Sequence, residues 1–342
     1  MDATTGNRSR PATIYDVARE AGVSHQTVSR LLKGHRISES YESRVQDALA
    51  KLDYRPNIAA RSLATRESKR VAALMYEMTQ LGPIKILEGA SAAARESGYV
   101  LDIVSLDPAD DRSLAEAIDV VNQQDVAGIV AFAPNDRMRE RLDAASFRVP
   151  LYRETEDEDE DRAVPAHSNY NMLGAELAMR HLLDLGHERI VHVTGPLDWP
   201  AARIRARTYD ELLRQGGLTP APWLEGDWSA ESGYRLAQGL LAAGELPTAV
   251  FAGNDQMALG ILHALAEAGV AVPGRVSVIG MDDSPDAAYY SPSLTSIPMY
   301  FREQGRFAFL ALLARMNGQP SQWKTDFVRP SLVLRASTAP PH

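Results

Sequence analysis

The chain contains no cysteine in 342 residues. That removes disulfides, thiolate zinc sites and cysteine nucleophiles together, and it fits a reducing compartment. Long apolar runs are missing as well: none approaches the roughly 18 consecutive apolar residues of a membrane helix. The opening MDATTGNRSRPAT has no apolar stretch of the secretion-signal kind. The expectation is a soluble, cytoplasmic protein with no membrane partner. Catalytic signatures are equally scarce, with no P-loop, no G-x-S-x-G and no H-E-x-x-H. Asp282-Asp283 imitates a carboxylate pair, but adjacent residues on an extended segment face opposite ways. His181 and His187 lie around a helix end at poor spacing for one metal, and read as surface or capping residues. A protein that is not an enzyme is expected, with no catalytic residue, metal or cofactor.

The length suits two or three domains with sizeable cores. The net charge is −9, unevenly placed. Residues 1–70 carry 13 basic and 8 acidic side chains, and the remainder carries 23 and 37. A basic head on an acidic body fits a head that neutralises phosphates. The run Glu154–Asp161, ETEDEDED, reads as a solvated loop, because it lacks the spacing and the glycine of a calcium loop.

Residues 13–34, TIYDVAREAGVSHQTVSRLLKG, are the most informative stretch. Thr13 and Asp16 have capping-box spacing. Gly22 suits the left-handed turn between two short helices. Ser24 is placed to cap the second helix, and Lys33-Gly34 to close it. Val17, Ala18 and Ala21 share one face of the first helix. Val28, Leu31 and Leu32 fall at i, i+3 and i+4 on the second. His25, Gln26, Ser29 and Arg30 are left on the outer face. This is a helix-turn-helix whose second helix is built to enter a major groove by its N-terminal end. A third helix starts near Ser38 or Ser40, with Val45, Ala48, Leu49 and Leu52 inward. Tyr54-Arg55-Pro56 must be extended, and Asn57 is placed to cap a short IAARSLAT helix.

VSHQTVSR followed by YRPNIAARSLAT resembles the LacI/GalR family of bacterial transcriptional regulators. The resemblance implies a hinge helix that folds only on operator DNA, pairs with its dimer mate and drives a leucine into the minor groove. Leu63 matches that leucine, an apolar wedge that unstacks a step and bends the duplex. The DNA-contact set it implies is Thr13, Tyr15, Ser24, His25, Gln26, Thr27, Ser29, Arg30, Asn57, Ala60 and Leu63. Gln26 suits adenine and Arg30 guanine. His25 stands where the lactose-repressor branch has tyrosine, so the operator sequence is expected to differ.

From residue 70 the pattern alternates strand and helix. Expected strands are Val71–Tyr76, Val100–Leu106, Gly128–Ala133, Arg189–Thr194, Ala249–Ala252 and Val276–Gly280. Expected helices include Pro83–Ser97, Leu173–Gly186, Ala230–Ala243 and Gln256–Gly269. VAGIVAFA reads as a strand buried on both faces of a parallel sheet. The resemblance implies an all-α helix-turn-helix head on an α/β, two-lobed core of the periplasmic-binding-protein type, with two parallel, Rossmann-like sheets. The expected division is 1–56 for the head, 57–68 for the hinge and 69–338 for the core. The N-lobe would take about 69–166 and 299–322, the C-lobe about 167–298 and 323–338, with crossings near 165–169, 295–300 and 320–326.

Ligands in open α/β sheets bind beyond the carboxyl ends of strands. Polar residues follow the strands here in AVFAGND and VSVIGMDD, and Arg203 and Arg205 follow the GPLDWP loop. A tryptophan, an arginine, an amide and a carboxylate on one cleft outline a sugar site: the ring covers the apolar face of a pyranose, and the polar groups pair with its hydroxyls. EGDWSAESGY, GNDQMALG and GMDDSP resemble the lactose-repressor branch, which implies ligand contacts at Arg205, Trp228, Asn254, Asp282 and Phe301, with Arg203 beside them. Other readings remain open. Asn254 suits a helix cap, Trp228 a plain core position, and Asp283 a structural partner. Pro298-Met299-Tyr300 replaces a polar stretch of that branch, so one sugar contact is expected to be lost. Glu154 is the candidate carboxylate from the N-lobe.

The expectation is a homodimeric repressor that binds double-stranded operator DNA and is released by a sugar, a galactoside or related mono- or disaccharide. The alternative within the family is a purine-type corepressor that strengthens DNA binding. A non-regulatory sugar-binding protein is disfavoured by the helix-turn-helix.

Overall fold

Thr13 opens the first helix as the sequence predicts. In the computed structural model its Oγ1 accepts from the Asp16 amide at 3.3 Å, and the Asp16 carboxylate accepts the Thr13 N–H at 2.9 Å. The structure describes residues 12–32, 34–54, 68–76, 80–106, 112–133, 135–155, 167–320 and 330–342. Lys33, the segment holding Asn57, Ala60 and Leu63, most of the acidic run, the start of the first expected crossing and nearly all of the third lie outside them.

The chain divides into two units, one up to Ser68 and one from Lys69. In the head, α1 (Ile14–Ala21), α2 (His25–Leu32) and α3 (Glu39–Lys51) pack around Val17, Ala18, Ala21, Val28, Val45 and Ala48. Gly22 turns between α1 and α2 at φ +61. Ser24 caps α2, accepting from the Thr27 amide at 3.1 Å. Arg44 on α3 donates to the Gly22 carbonyl at 3.1 Å, tying the turn to the third helix.

The second unit holds two parallel sheets of identical order. The first runs β2-β1-β3-β4, from β1 (Arg70–Tyr76), β2 (Val100–Leu106), β3 (Gly128–Ala133) and β4 (Leu151–Thr155). The second runs β6-β5-β7-β8, from β5 (Ile190–Thr194), β6 (Leu224–Glu225), β7 (Ala249–Ala252) and β8 (Ser277–Ile279). Every strand pair is parallel. Helices α4 (Leu81–Glu96), α5 (Ser113–Gln123) and α6 (Asp136–Ala144) serve the first sheet. Helices α7 (His167–Asp184), α8 (Pro200–Gln215), α9 (Ala230–Ala243) and α10 (Asp255–Glu267) serve the second, and α11 (Phe301–Met316) returns to the first.

Alternate strand residues explain the layering. Val71, Ala73, Met75, Val130 and Phe132 face α4 and α11, whereas Ala72, Leu74, Ile129 and Ala131 face α5 and α6. β3 is buried throughout, which is why it reads as an unbroken apolar run. The second sheet repeats the scheme, with Val250 and Val278 toward α9 and α10, and Ala249, Phe251 and Ile279 toward α7 and α8. α4 and α11 approach so closely that a Cβ on Gly89 or Gly305 would collide with the carbonyls of Arg302 or Ile86.

Two strands escape the sequence reading. β4 and β6 are edge strands, and LYRET and LE carry too little apolar pattern to show at an edge. The chain passes between lobes at 295–300, where Asp282 bridges Pro298 and α11 then begins at Phe301. The expectation for His187 is corrected. Its side chain is buried, and Nε2 lies 3.1 Å from Ser277 Oγ and 2.9 Å from the Ala339 carbonyl. His181 Nε2 lies 2.9 Å from Thr338 Oγ1. Both histidines clasp residues 338–339, which return to the second sheet; a surface reading failed because that partner lies 150 residues away.

Candidate functional site

In the head, α2 presents His25, Gln26 and Arg30 as exposed side chains and Ser29 as half-buried. With His35 they line a shallow, open concavity. Tyr15 is 61% exposed, and its ring lies 5.2 Å from that of His25. The two aromatics project from neighbouring helices, and His25 shares its concavity with Gln26 and Arg30. Thr13 and Thr27 are already engaged, Thr13 in the capping box and Thr27 with its Oγ1 2.9 Å from Ser24 Oγ. His35 was not anticipated; it follows the glycine that ends α2, where no periodicity points.

In the core, a cleft of about 740 Å³, counting its open mouth, lies between the two sheets. One wall holds Gln80, Leu81, Ile86, Phe132, Glu154, Phe301 and Gln304. The other holds Trp199, Arg205, Trp228, Asn254, Gln256 and Asp282. The residues on both walls gather at the carboxyl ends of the strands and the helices that follow them, where the topology of open sheets places ligands. Arg205, Trp228, Asn254, Asp282 and Phe301 are therefore brought together.

Trp228 is 4% exposed and sits at φ +70, a backbone form that few non-glycine residues take. Its ring stands edge-on to Trp199 with centroids 5.6 Å apart, and the Arg205 guanidinium carbon lies 5.4 Å from it. A Cβ on Gly195 would occupy the space of this indole. The buried Trp228 Nε1, a donor only, has no acceptor among the described residues. Arg205 is buried; Nε and Nη2 donate to Asn171 Oδ1 at 3.0 and 2.7 Å, and Nη1 donates to the Gly253 carbonyl. Those bonds fix its plane against the tryptophan.

Asp282 lies at φ +112 and Asp283 at φ +48. Burial pushes the Asp282 carboxyl well above the usual carboxylate range, while the Arg205 charge pulls it down. Asn254 caps α10, accepting from the Met257 amide at 2.8 Å, and its Nδ2 donates to the Trp228 carbonyl at 3.0 Å. It is both a cap and part of the cleft wall. Asp283 accepts from Arg335 at 2.6 Å, the structural partnership considered for it.

Arg203 is not on the cleft wall. Its Nη1 and Nη2 reach Asp136 at 2.8 and 3.3 Å, and Nη1 also donates to the Leu197 carbonyl at 2.6 Å. Glu154 lies next to the end of β4, is 4% exposed and accepts from Gln304 Nε2 at 3.3 Å. Gln304 and Trp199 escaped sequence reasoning. Gln304 falls one helical turn after Phe301, Trp199 lies in the GPLDWP loop and Gln256 in GNDQMALG, so these three had a legible signal; Gln80 had none. Among the described residues no group of three or more acidic, histidine or cysteine side chains is placed to hold a metal ion.

Comparison with known proteins fits this geometry. The family model for bacterial regulatory proteins of the lacI family matches residues 13–57, and that for a periplasmic binding protein-like domain matches 179–338. The lactose operon repressor of Escherichia coli K12 is 32% identical over 337 residues, covering 97% of this chain and 92% of that protein. This chain belongs to the lacI family of bacterial regulatory proteins. The ribose operon repressor of the same strain is 31% identical, covering 95% and 99%. The HTH-type transcriptional repressor PurR of Edwardsiella ictaluri is 31% identical, covering 96% and 97%. A solved lac repressor dimer bound to operator and the anti-inducer ONPF aligns with a TM-score of 0.82 at 31% identity, covering 96% of this chain and 100% of that one. The lacI-family chain is thus a DNA-binding transcriptional repressor with a helix-turn-helix head and a periplasmic-binding-like core, and these relatives are repressors rather than enzymes. No helix among the described residues is long and apolar enough to cross a membrane.

Proposed function

We propose that this lacI-family repressor is controlled by a small sugar bound in the cleft between its lobes, with β-galactosides and related mono- and disaccharides as the leading class. The observation that carries the reading is the cluster of Trp228, Arg205 and Asp282 on one wall. A buried indole offers a flat apolar surface and an N–H with no acceptor among the described residues. The Arg205 guanidinium lies against it, the Asp282 carboxyl lines the same wall, and sugar hydroxyls pair with both groups. Glu154 on the opposite wall gives the ligand a second lobe to hold.

The chain acts as a homodimer on a near-palindromic operator, so that protein and DNA share a two-fold axis. Gln26 and Arg30 read base edges, Ser24, Thr27, Ser29, His25, Tyr15 and Thr13 dock the head, and Asn57, Ala60 and Leu63 form the hinge contact. Sugar binding favours a core state in which the hinge pairs badly, and DNA binding disfavours the sugar by the same coupling, about 1–3 kcal/mol.

The aromatic walls of Trp199, Trp228, Phe132 and Phe301 also suit a flat base, and one relative is a PurR repressor. A purine corepressor is the second reading. Isothermal titration of the full chain with isopropyl β-D-thiogalactoside, cellobiose, ribose, hypoxanthine and guanine separates the two. Saturable binding of a glycoside, with none for the bases, supports the sugar reading; the reverse overturns it.

A further inference from the structure

Asp255 lines no part of the cleft and is 0% exposed. It is not the cap of α10, since Asn254 fills that role. A buried carboxylate is costly where helix capping does not need it, so its bonds reveal its purpose. The Asp255 N–H donates to the Met281 carbonyl at 2.8 Å. Oδ2 accepts the Ser284 N–H at 2.7 Å, and Oδ1 accepts the Ser296 hydroxyl at 2.6 Å. That hydroxyl oxygen in turn accepts the Asp283 N–H at 3.1 Å.

Every one of these bonds grips the turn from Met281 to Ser284 or its support. Within that turn lie Asp282 and Asp283, two consecutive non-glycine residues at φ +112 and +48. Such a conformation persists only where its surroundings over-determine it. Just before the turn, Gly280 has no room for a Cβ, because Asp255 Oδ1 occupies the space.

We propose that Asp255 is a positioning residue of the cleft: its buried carboxylate holds the Met281–Ser284 turn in the strained form that presents Asp282 to the ligand. The inference rests on the reading of the cleft as the effector site. The titratable groups that interact with Asp255 are Asp282 and Asp283 on the turn and Tyr290 beyond it; Asp286 acts on Tyr290, and Arg205 and Arg335 oppose Asp282 and Asp283. Burial raises the Asp255 carboxyl to about 7, so the grip changes within the neutral pH range.

The test uses the full chain, D255N and S296A. Hydrogen exchange reports protection of the 283 and 284 amides between about pH 6 and 8, and tryptophan fluorescence reports binding of isopropyl β-D-thiogalactoside. D255N is expected to lose protection at these two amides with the rest of the lobe unchanged, to lose the protection step near neutrality, and to bind the probe about tenfold or more weaker. S296A is expected to shift both readouts the same way. Unchanged protection at 283 and 284, or protection lost evenly across the lobe, overturns the proposal. If the wild type binds no glycoside, the sugar reading fails and the exchange result alone decides the role of Asp255.

Discussion

The Arg203 guanidinium on the first turn of α8 meets the Asp136 carboxylate at the start of α6 at 2.8 Å, joining the second lobe to the first. The Asp136 N–H adds a bond to the Asp198 carbonyl at 3.0 Å, and Arg139 lies 3.2 Å from the same carboxylate. Both charges are partly exposed, at 23% and 31% of the side chain, so the pair contributes only about 0.5–1 kcal/mol to stability. Its expected effect is on the angle between the lobes, since it joins one to the other. Arg203→Ala is expected to leave the thermal midpoint within a few degrees of wild type while weakening any ligand that touches both walls. A calorimetric titration beside a melting curve separates the two effects, and equal loss in both would show Arg203 to be an ordinary stabilising residue.

Trp228 predicts a graded series. Truncation to alanine empties a buried site and is expected to cost about 3–5 kcal/mol and abolish ligand binding. Phenylalanine keeps the flat surface but drops the Nε1 donor, so it should retain most of the stability and bind more weakly. Gly195→Ala attacks the same indole from outside, and its expected signature is lost binding with a displaced tryptophan emission maximum. Retained affinity in the alanine variant would remove Trp228 from the site.

Two buried titrations oppose one another in acid. His192 is enclosed between Phe251 and Tyr209, and burial lowers it from 6.5 to about 3. Its folded pKa is depressed, so the unfolded chain binds the extra proton between those values, and stability is lost as pH falls. Asp255 is raised from 3.8 to about 7. There the folded chain holds the extra proton, and stability is lost as pH rises through that window. The wild type should thus show a shallow stability profile between about pH 4 and 6.5, where the two slopes cancel in part. His192→Phe should leave a profile falling with pH, and Asp255→Asn one rising with it. Denaturant midpoints across that range decide the matter, and parallel profiles in all three proteins would refute the assignment.

The head predicts separable effects. Thr13→Ala removes the capping box and should cost about 1 kcal/mol of head stability. Gln26→Ala and Arg30→Ala should each cost about 1–3 kcal/mol of operator affinity and relax preference at one base position. Competition among operator variants reads this out; uniform weakening across all variants would mean phosphate contact instead.

Much of this architecture was legible because the cores are periodic. The inward faces of α1, α2 and α3 follow from Val17, Ala18, Val28, Val45 and Ala48, and the limits of α9 are those its pattern indicates. Asn254 and Asp282 were legible because strand ends gather polar side chains in open sheets, whereas Arg205, Trp228, Phe301 and Glu154 came from the family resemblance. What escaped depends on partners distant in sequence. Arg203 looked like a neighbour of Arg205, yet on a helix residues two apart diverge, and only the fold shows Asp136 opposite it. His187 is buried by a segment 152 residues further on. Asp255, one residue past a cleft contact, gives no sign in the sequence that it grips a turn near residue 282.

The central claim is that a sugar in the cleft controls the grip on DNA. Fluorescence anisotropy of a labelled symmetric lactose-type operator, titrated with the full chain with and without isopropyl β-D-thiogalactoside and related glycosides, tests it most directly. The account predicts tight, salt-steep binding that one glycoside weakens. Operator binding that no sugar alters, or that a purine strengthens, would contradict it.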